Sequence, residues 1–126
     1  MSGDTETRIK QDLFAEIQNL EQNYRFLKSF LSGADYDAIT LGGTIQSFKD
    51  SLSRASAFVL ALYNLKGKRV NIPWDPLFTS LDYALATISV SSSPKQKDAV
   101  KTILSMSEAQ IGQVLSYFSA LKESLR

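Results

Sequence analysis

Apolar side chains recur every three or four positions along most of this chain. That spacing is the signature of helices, since strand side chains alternate with a period of two. Leu13, Ile17, Leu20, Tyr24, Leu27 and Leu31 step in this way, placing them on one stripe of a helix over three heptads. Ile9 extends the stripe by a turn, and Phe14, Phe26 and Phe30 widen it. The first helix is therefore expected from about Thr5 to Leu31. Asp4 serves as its N-cap, Glu6 complements the positive end of the dipole and Gly33 stands at C′. Glu6–Lys10 and Glu21–Arg25 are i, i+4 pairs in the favourable order.

Residues 32–43 carry Gly33, Asp35, Asp37, Gly42 and Gly43 and read as a connector, with room for one helical turn around Asp37 to Leu41. A second helix is expected from Thr44, as N-cap, to about Leu65. Its stripe is Ile45, Phe48, Leu52, Ala55, Val59 and Leu62. From Ala57 to Tyr63 it is apolar all round, which predicts burial on every side, with Phe58, Val59 and Leu62 deepest. Gly67 ends it, beside Lys66, Lys68 and Arg69 at the negative end of its dipole.

Val70, Asn71, Ile72, Pro73 and Trp74 alternate apolar and polar and read as an extended loop too short for a sheet. Asp75 followed by Pro76 marks the start of a third helix, running to about Ser91, with Leu77, Phe78, Leu81, Leu85 and Ile88 on one face. Ser91, Ser92 and Ser93 form a break. Ser93, Pro94 and Gln96 then make a capping box with proline at N1. The fourth helix is read as unbroken to Leu125, on the rows Leu104, Ile111, Phe118, Leu125 and Val100, Val114, Leu121. Ser107 interrupts the second row, and a capping box from Ser105 to Glu108 offers the alternative of a split.

These readings give an all-α fold: a single domain over residues 1–126, an antiparallel up-down bundle of four main helices, or five if the last is split. At 1.5 Å per residue the first and fourth helices would be roughly 40 and 47 Å long and the third only about 24 Å. A short helix cannot cover long ones, so the surplus apolar stripe is expected to be covered by a second copy or by another protein. The heptad positions Leu13, Leu20 and Leu27 are the expected self-association seam. Intramolecular bundle packing uses the same spacing.

Composition narrows the chemistry. The chain has neither Cys nor His, which excludes disulfides, thiol nucleophiles and Fe–S clusters, together with imidazole acid–base chemistry and imidazole metal ligation. Ferritin-like di-iron bundles, which use Glu-x-x-His pairs, are excluded with them. No metal, cofactor or catalytic residue is expected, and the chain is read as non-enzymatic. A net charge of +1, from 14 basic and 13 acidic residues, gives no general attraction to polyanions.

Local clusters are the remaining candidates. Trp74 and Tyr63 flank Lys66, Lys68 and Arg69, and in an up-down bundle Lys122 and Arg126 join them. Aromatics among cations can stack bases while the charges hold phosphates. The competing interpretation is helix C-capping charge beside a tryptophan that plugs the bundle's end. Lys95, Lys97 and Lys101 read as a solvated face, as do Asp12 and Glu16. Gly67-Lys68 lacks the first glycine of a P-loop, since Leu62 stands there. Asp35 and Asp37 do not begin a calcium loop, because Ile39 and Gln46 fall at ligand positions.

The longest uncharged run, between Arg54 and Lys66, is shorter than the about 20 apolar residues a bilayer span needs. The polar, acidic stretch from Met1 to Thr7 does not read as a secretory signal, and Ser2 does not fit myristoylation. A cytoplasmic location is the expectation. The leading functional reading is a small helical subunit that self-associates as a homodimer or docks into a larger assembly. The alternative is a nucleic-acid-binding accessory subunit using Lys66, Lys68, Arg69 and Trp74. Circular dichroism should show well over about half helix, against roughly a third in an average globular protein; a lower content would contradict the helical assignment.

Overall fold

A computed structural model describes residues 2–88 and 93–126. It contains five helices: α1 (Ser2–Leu31), α2 (Ala38–Leu65), α3 (Asp75–Ile88), α4 (Pro94–Met106) and α5 (Glu108–Leu125). The described residues contain no strand. The fold is the expected all-α bundle, with the last helix split.

α1 lies antiparallel on α2 in the largest helix–helix contact. Their stripes meet along the whole pair: Leu13, Ile17, Leu20 and Leu27 are fully buried, as are Ile45, Phe48, Leu52, Ala55 and Val59. Polar pairs at the edges record the register. Glu16 accepts from Arg54 at 2.7 Å, and the Asn23 amide donates to Ser47 at 3.0 Å. Near the start of α1, Glu6 reaches both Lys10 at 3.6 Å and Lys66 at 3.8 Å. α3 runs antiparallel to α2, with Ile88 against Gly42 and an ion pair between Lys49 and Asp82. α4 packs on α3 and α1, and α5 packs on α1.

Several boundaries differ from the sequence reading, each for a local reason. α1 begins at Ser2, so Asp4 is a first-turn charge rather than the N-cap. α2 begins six residues before the expected Thr44. Asp37 is its N-cap, with a carboxylate oxygen accepting from the Thr40 amide at 2.6 Å, and that bond holds the Asp37 carboxyl below its ordinary range. Gly42 and Gly43 therefore sit inside the helix. Each costs about 1 kcal/mol relative to alanine, an expense outweighed by the cap and by complete burial of Leu41 and Ile45. A Cβ at Gly42 would already touch Ile88 at 3.5 Å. Asp75, the expected cap of α3, lies in its first turn, while the Trp74 carbonyl accepts from Phe78. The expected end of α3 at Ser91 lies outside the described residues. The Ser93–Gln96 capping box with Pro94 is present as read.

The unbroken fourth helix is corrected. The helix is interrupted at Ser107, where α4 ends and α5 begins. No Ser105 capping box makes the interruption, since α5 has no side-chain cap bond. Ser107 is 3% exposed, in the core row between Val100 and Val114. Its hydroxyl must find a partner there and donates to the Ile103 carbonyl at 3.0 Å. A serine bonding back in this way competes with the helical ladder, although Thr44, Thr79 and Thr102 bond back alike inside unbroken helices.

Part of the expected overhang of long helices over a short one is filled from within the chain, while Leu60 and Leu65 stay exposed. Residues 66–74 leave α2 at one end of the bundle and climb to the start of α3. Val70, Ile72 and Trp74 turn half-buried onto the core while Asn71 and Pro73 face outward. Nine extended residues reach up to about 30 Å, enough to cover the roughly 20 Å by which the 28-residue α2 outruns the 14-residue α3.

Burial of α2 on every side is also corrected. Val59 and Leu62 are core, Phe58 is half-buried, and Leu60 is 43% exposed. Leu62→Ala should lower stability by about 2–5 kcal/mol through lost transfer energy and a cavity, and Leu60→Ala by under about 1 kcal/mol. Urea unfolding of the two variants checks this; equal losses would contradict the orientation of α2.

Candidate functional site

The expected seam of Leu13, Leu20 and Leu27 is core. All three are at most 1% exposed, packed within the chain, and a second copy could reach them only by opening the bundle. The heptad of α1 is used up intramolecularly.

The expected basic–aromatic patch is divided. A Schellman turn closes α2: the Lys68 amide donates to the Tyr63 carbonyl at 2.9 Å and the Gly67 amide to the Asn64 carbonyl at 3.0 Å. Gly67 supplies the left-handed φ of +69° that this turn requires. The turn brings Lys66 and Lys68 to one cavity with Tyr63 and the end of α5. Arg69 is exposed. Arg126 pairs with Glu123 at 3.5 Å.

Trp74 belongs to a different cluster. Its ring meets Tyr117 edge-on at 5.7 Å and lies 6.5 Å from Phe118, with Tyr117 and Phe118 themselves edge to face at 5.2 Å. Burial, with a smaller contribution from the nearby Tyr63, pushes the Tyr117 phenol above its ordinary value. The indole Nε1 is buried and has no hydrogen-bond partner among the described residues. Trp74 thus anchors the extended segment to α5 and does not line the cavity that Lys66 and Lys68 share.

At the opposite end, Lys97 pairs with Asp35 at 3.5 Å while Lys95 is exposed. Of the two acidic residues expected at the surface of α1, Asp12 is exposed, whereas the Glu16 side chain is 13% exposed and bound to Arg54. That bond raises the Arg54 pKa, a structural ion pair between α1 and α2. Among the described residues no group of three or more acidic side chains could hold a metal, and no helix is long and apolar enough to cross a membrane.

One surface escaped the sequence reading. Where α3 passes the break at Ser107, a groove of about 400 Å³ opens, lined by Thr79, Ser80, Tyr83, Ile103, Met106 and Gln110 beside Ser107. Tyr83 is 65% and Met106 81% exposed, and among the described residues no charged side chain lines the groove. The signal lay in register: each follows a fully buried leucine, Leu81 or Leu104, by two positions. Two helical steps turn about 200°, which sets both residues opposite the core.

No family model matches this chain, and neither a curated protein nor a solved structure matches it.

With Trp74 committed to Tyr117 and Phe118, single-stranded oligonucleotides added at low salt should leave its emission unchanged. Quenching or a shift would contradict this placement by showing that the indole reaches a base.

Proposed function

We propose that this chain is a non-enzymatic helical interaction protein that pairs with a second copy through the groove between α3 and the α4–α5 break. The observation that carries the reading is the pair Tyr83 and Met106, two large apolar side chains standing out beside a hollow of comparable scale. A twofold interface uses the same patch on both partners, so it needs a prominence and a recess side by side. The neutral lining adds to this, because twofold pairing brings no like charges face to face there. Aromatic and methionine side chains are also the residues enriched at the buried centres of interfaces.

The reading replaces the α1 seam with one that leaves the core intact. A stable homodimer would bury on the order of 1,200 Å² in total, so the flanks of α3 and α5 take part around the groove. The absence of Cys and His supports a role outside thiol and imidazole chemistry.

Light scattering at tens of micromolar tests the proposal. The expected result is a mass of twice the chain, returned to the monomer value by Tyr83→Ser combined with Met106→Ser while the helical signal stays unchanged. A monomeric mass for the unaltered protein would contradict self-pairing, as would a dimer indifferent to both substitutions.

A further inference from the structure

We propose that the cavity between the C-terminal ends of α2 and α5 is a binding site for a small amphipathic carboxylate, a compact apolar body bearing one negative charge. The site is independent of the α3 groove and does not rest on self-pairing.

The cavity has a volume of about 220 Å³ and is walled by Val59, Leu62, Leu121 and Leu125, with Tyr63, Lys66, Lys68 and Ser124 also lining it. Leu62 and Leu121 are buried in the bundle, so the floor is apolar and rigid. At about 30 Å³ for each water-sized group, there is room for roughly seven heavy atoms. That suits a body of five or six carbons, with its charged head held at the mouth.

Two cations stand at that mouth for a reason written in the backbone. Lys66 and Lys68 flank Gly67, and the Schellman turn fixes both on the same cavity. At the end of α2 the turn lessens part of the charge that would repel an anion, and the two lysines must outweigh what the end of α5 contributes. A helix C-terminus exposes carbonyls of negative partial charge, but here the Tyr63 and Asn64 carbonyls are already bonded by the Lys68 and Gly67 amides. Lys66 is shared with Glu6 at 3.8 Å, whereas Lys68 has no ion pair among the described residues. Lys68 is therefore the principal carboxylate partner and Lys66 the secondary one. Both are exposed, so replacing them leaves the core untouched.

A few precisely placed polar groups over an apolar recess is the ordinary composition of a small-molecule site. Neither half suffices alone: the recess without charge would not select an acid, and exposed lysines without the recess would hold one only weakly. The same chemistry could come from a free small acid or from the C-terminal residue of a peptide with an apolar side chain.

The full-length chain, labelled with nitrogen-15, is titrated at neutral pH and constant ionic strength with hexanoate, hexanamide, acetate and N-acetyl-leucine. Hexanoate should give saturable amide shifts centred on Tyr63, Lys68, Leu121 and Leu125. Hexanamide and acetate should bind at least about threefold to fivefold more weakly, and Lys68→Gln should weaken hexanoate by a similar factor while leaving hexanamide unchanged. Lys66→Gln should act in the same direction with a smaller effect. Tighter binding of hexanoate than of N-acetyl-leucine assigns the site to free acids and the reverse order to chain termini; both outcomes support the shared chemistry. Equal binding of hexanoate and hexanamide would overturn the proposal. So would shifts centred on another part of the molecule, or no saturable shift up to about 10 mM hexanoate.

Discussion

The antiparallel seam between α1 and α2 is the interaction on which the rest of the structure depends. Two helices of 30 and 28 residues lay continuous apolar stripes against each other, from Leu13 and Val59 near one end to Leu27 and Ile45 towards the other. Each fully buried leucine or isoleucine contributes about 1.5–3 kcal/mol of transfer free energy, so this seam alone is a large part of the stabilisation. Everything else covers the half of each stripe that the seam leaves open. α3 and α4 cover one portion, α5 another, and the extended segment with Val70, Ile72 and Trp74 covers the portion α3 is too short to reach.

That covering changes what the sequence pattern means. Helices of unequal length invite the conclusion that a partner must hide the excess apolar surface, and the heptads of α1 supplied a ready seam. The alternation at residues 70–74 is legible in the sequence, but on its own it implies only a loop, being too short for a sheet. An extended segment needs no sheet when it can lay alternate side chains on a helical core. The caps at Ser93 and the C′ position of Gly67 were legible because they depend on neighbours in sequence. Gly42 and Gly43 misled for the opposite reason: burial of Leu41 and Ile45 in tertiary packing overrides the local preference against glycine in a helix. At Ser107 the break was foreseen as an alternative, but its cause was not. A buried hydroxyl bonded to the Ile103 carbonyl stands at the interruption, where a cap from Ser105 is the device the sequence suggests.

The functional surfaces divide along the same line. Lys66 and Lys68 could be recognised as a cluster from sequence alone, and the Schellman turn does bring them together. Trp74 could not be placed, because its partners Tyr117 and Phe118 are more than forty residues away. The α3 groove went unseen since it forms only where α4 and α5 meet, although the outward register of Tyr83 and Met106 was available. A polar side chain in the apolar row thus stands where the long helix divides, and the hollow beside it against α3 is edged by the exposed Tyr83 and Met106.

Native-state hydrogen exchange, resolved by residue, tests the primacy of the α1–α2 seam most directly. Amides around Leu20 in α1 and Leu52 in α2 should exchange slowest, and only through global unfolding. Those of α5 and of the segment around Ile72 should open at lower free energy, by local detachment from an intact helix pair. Slowest exchange in α4 and α5, with α1 opening first, would contradict this account of how the bundle is held together.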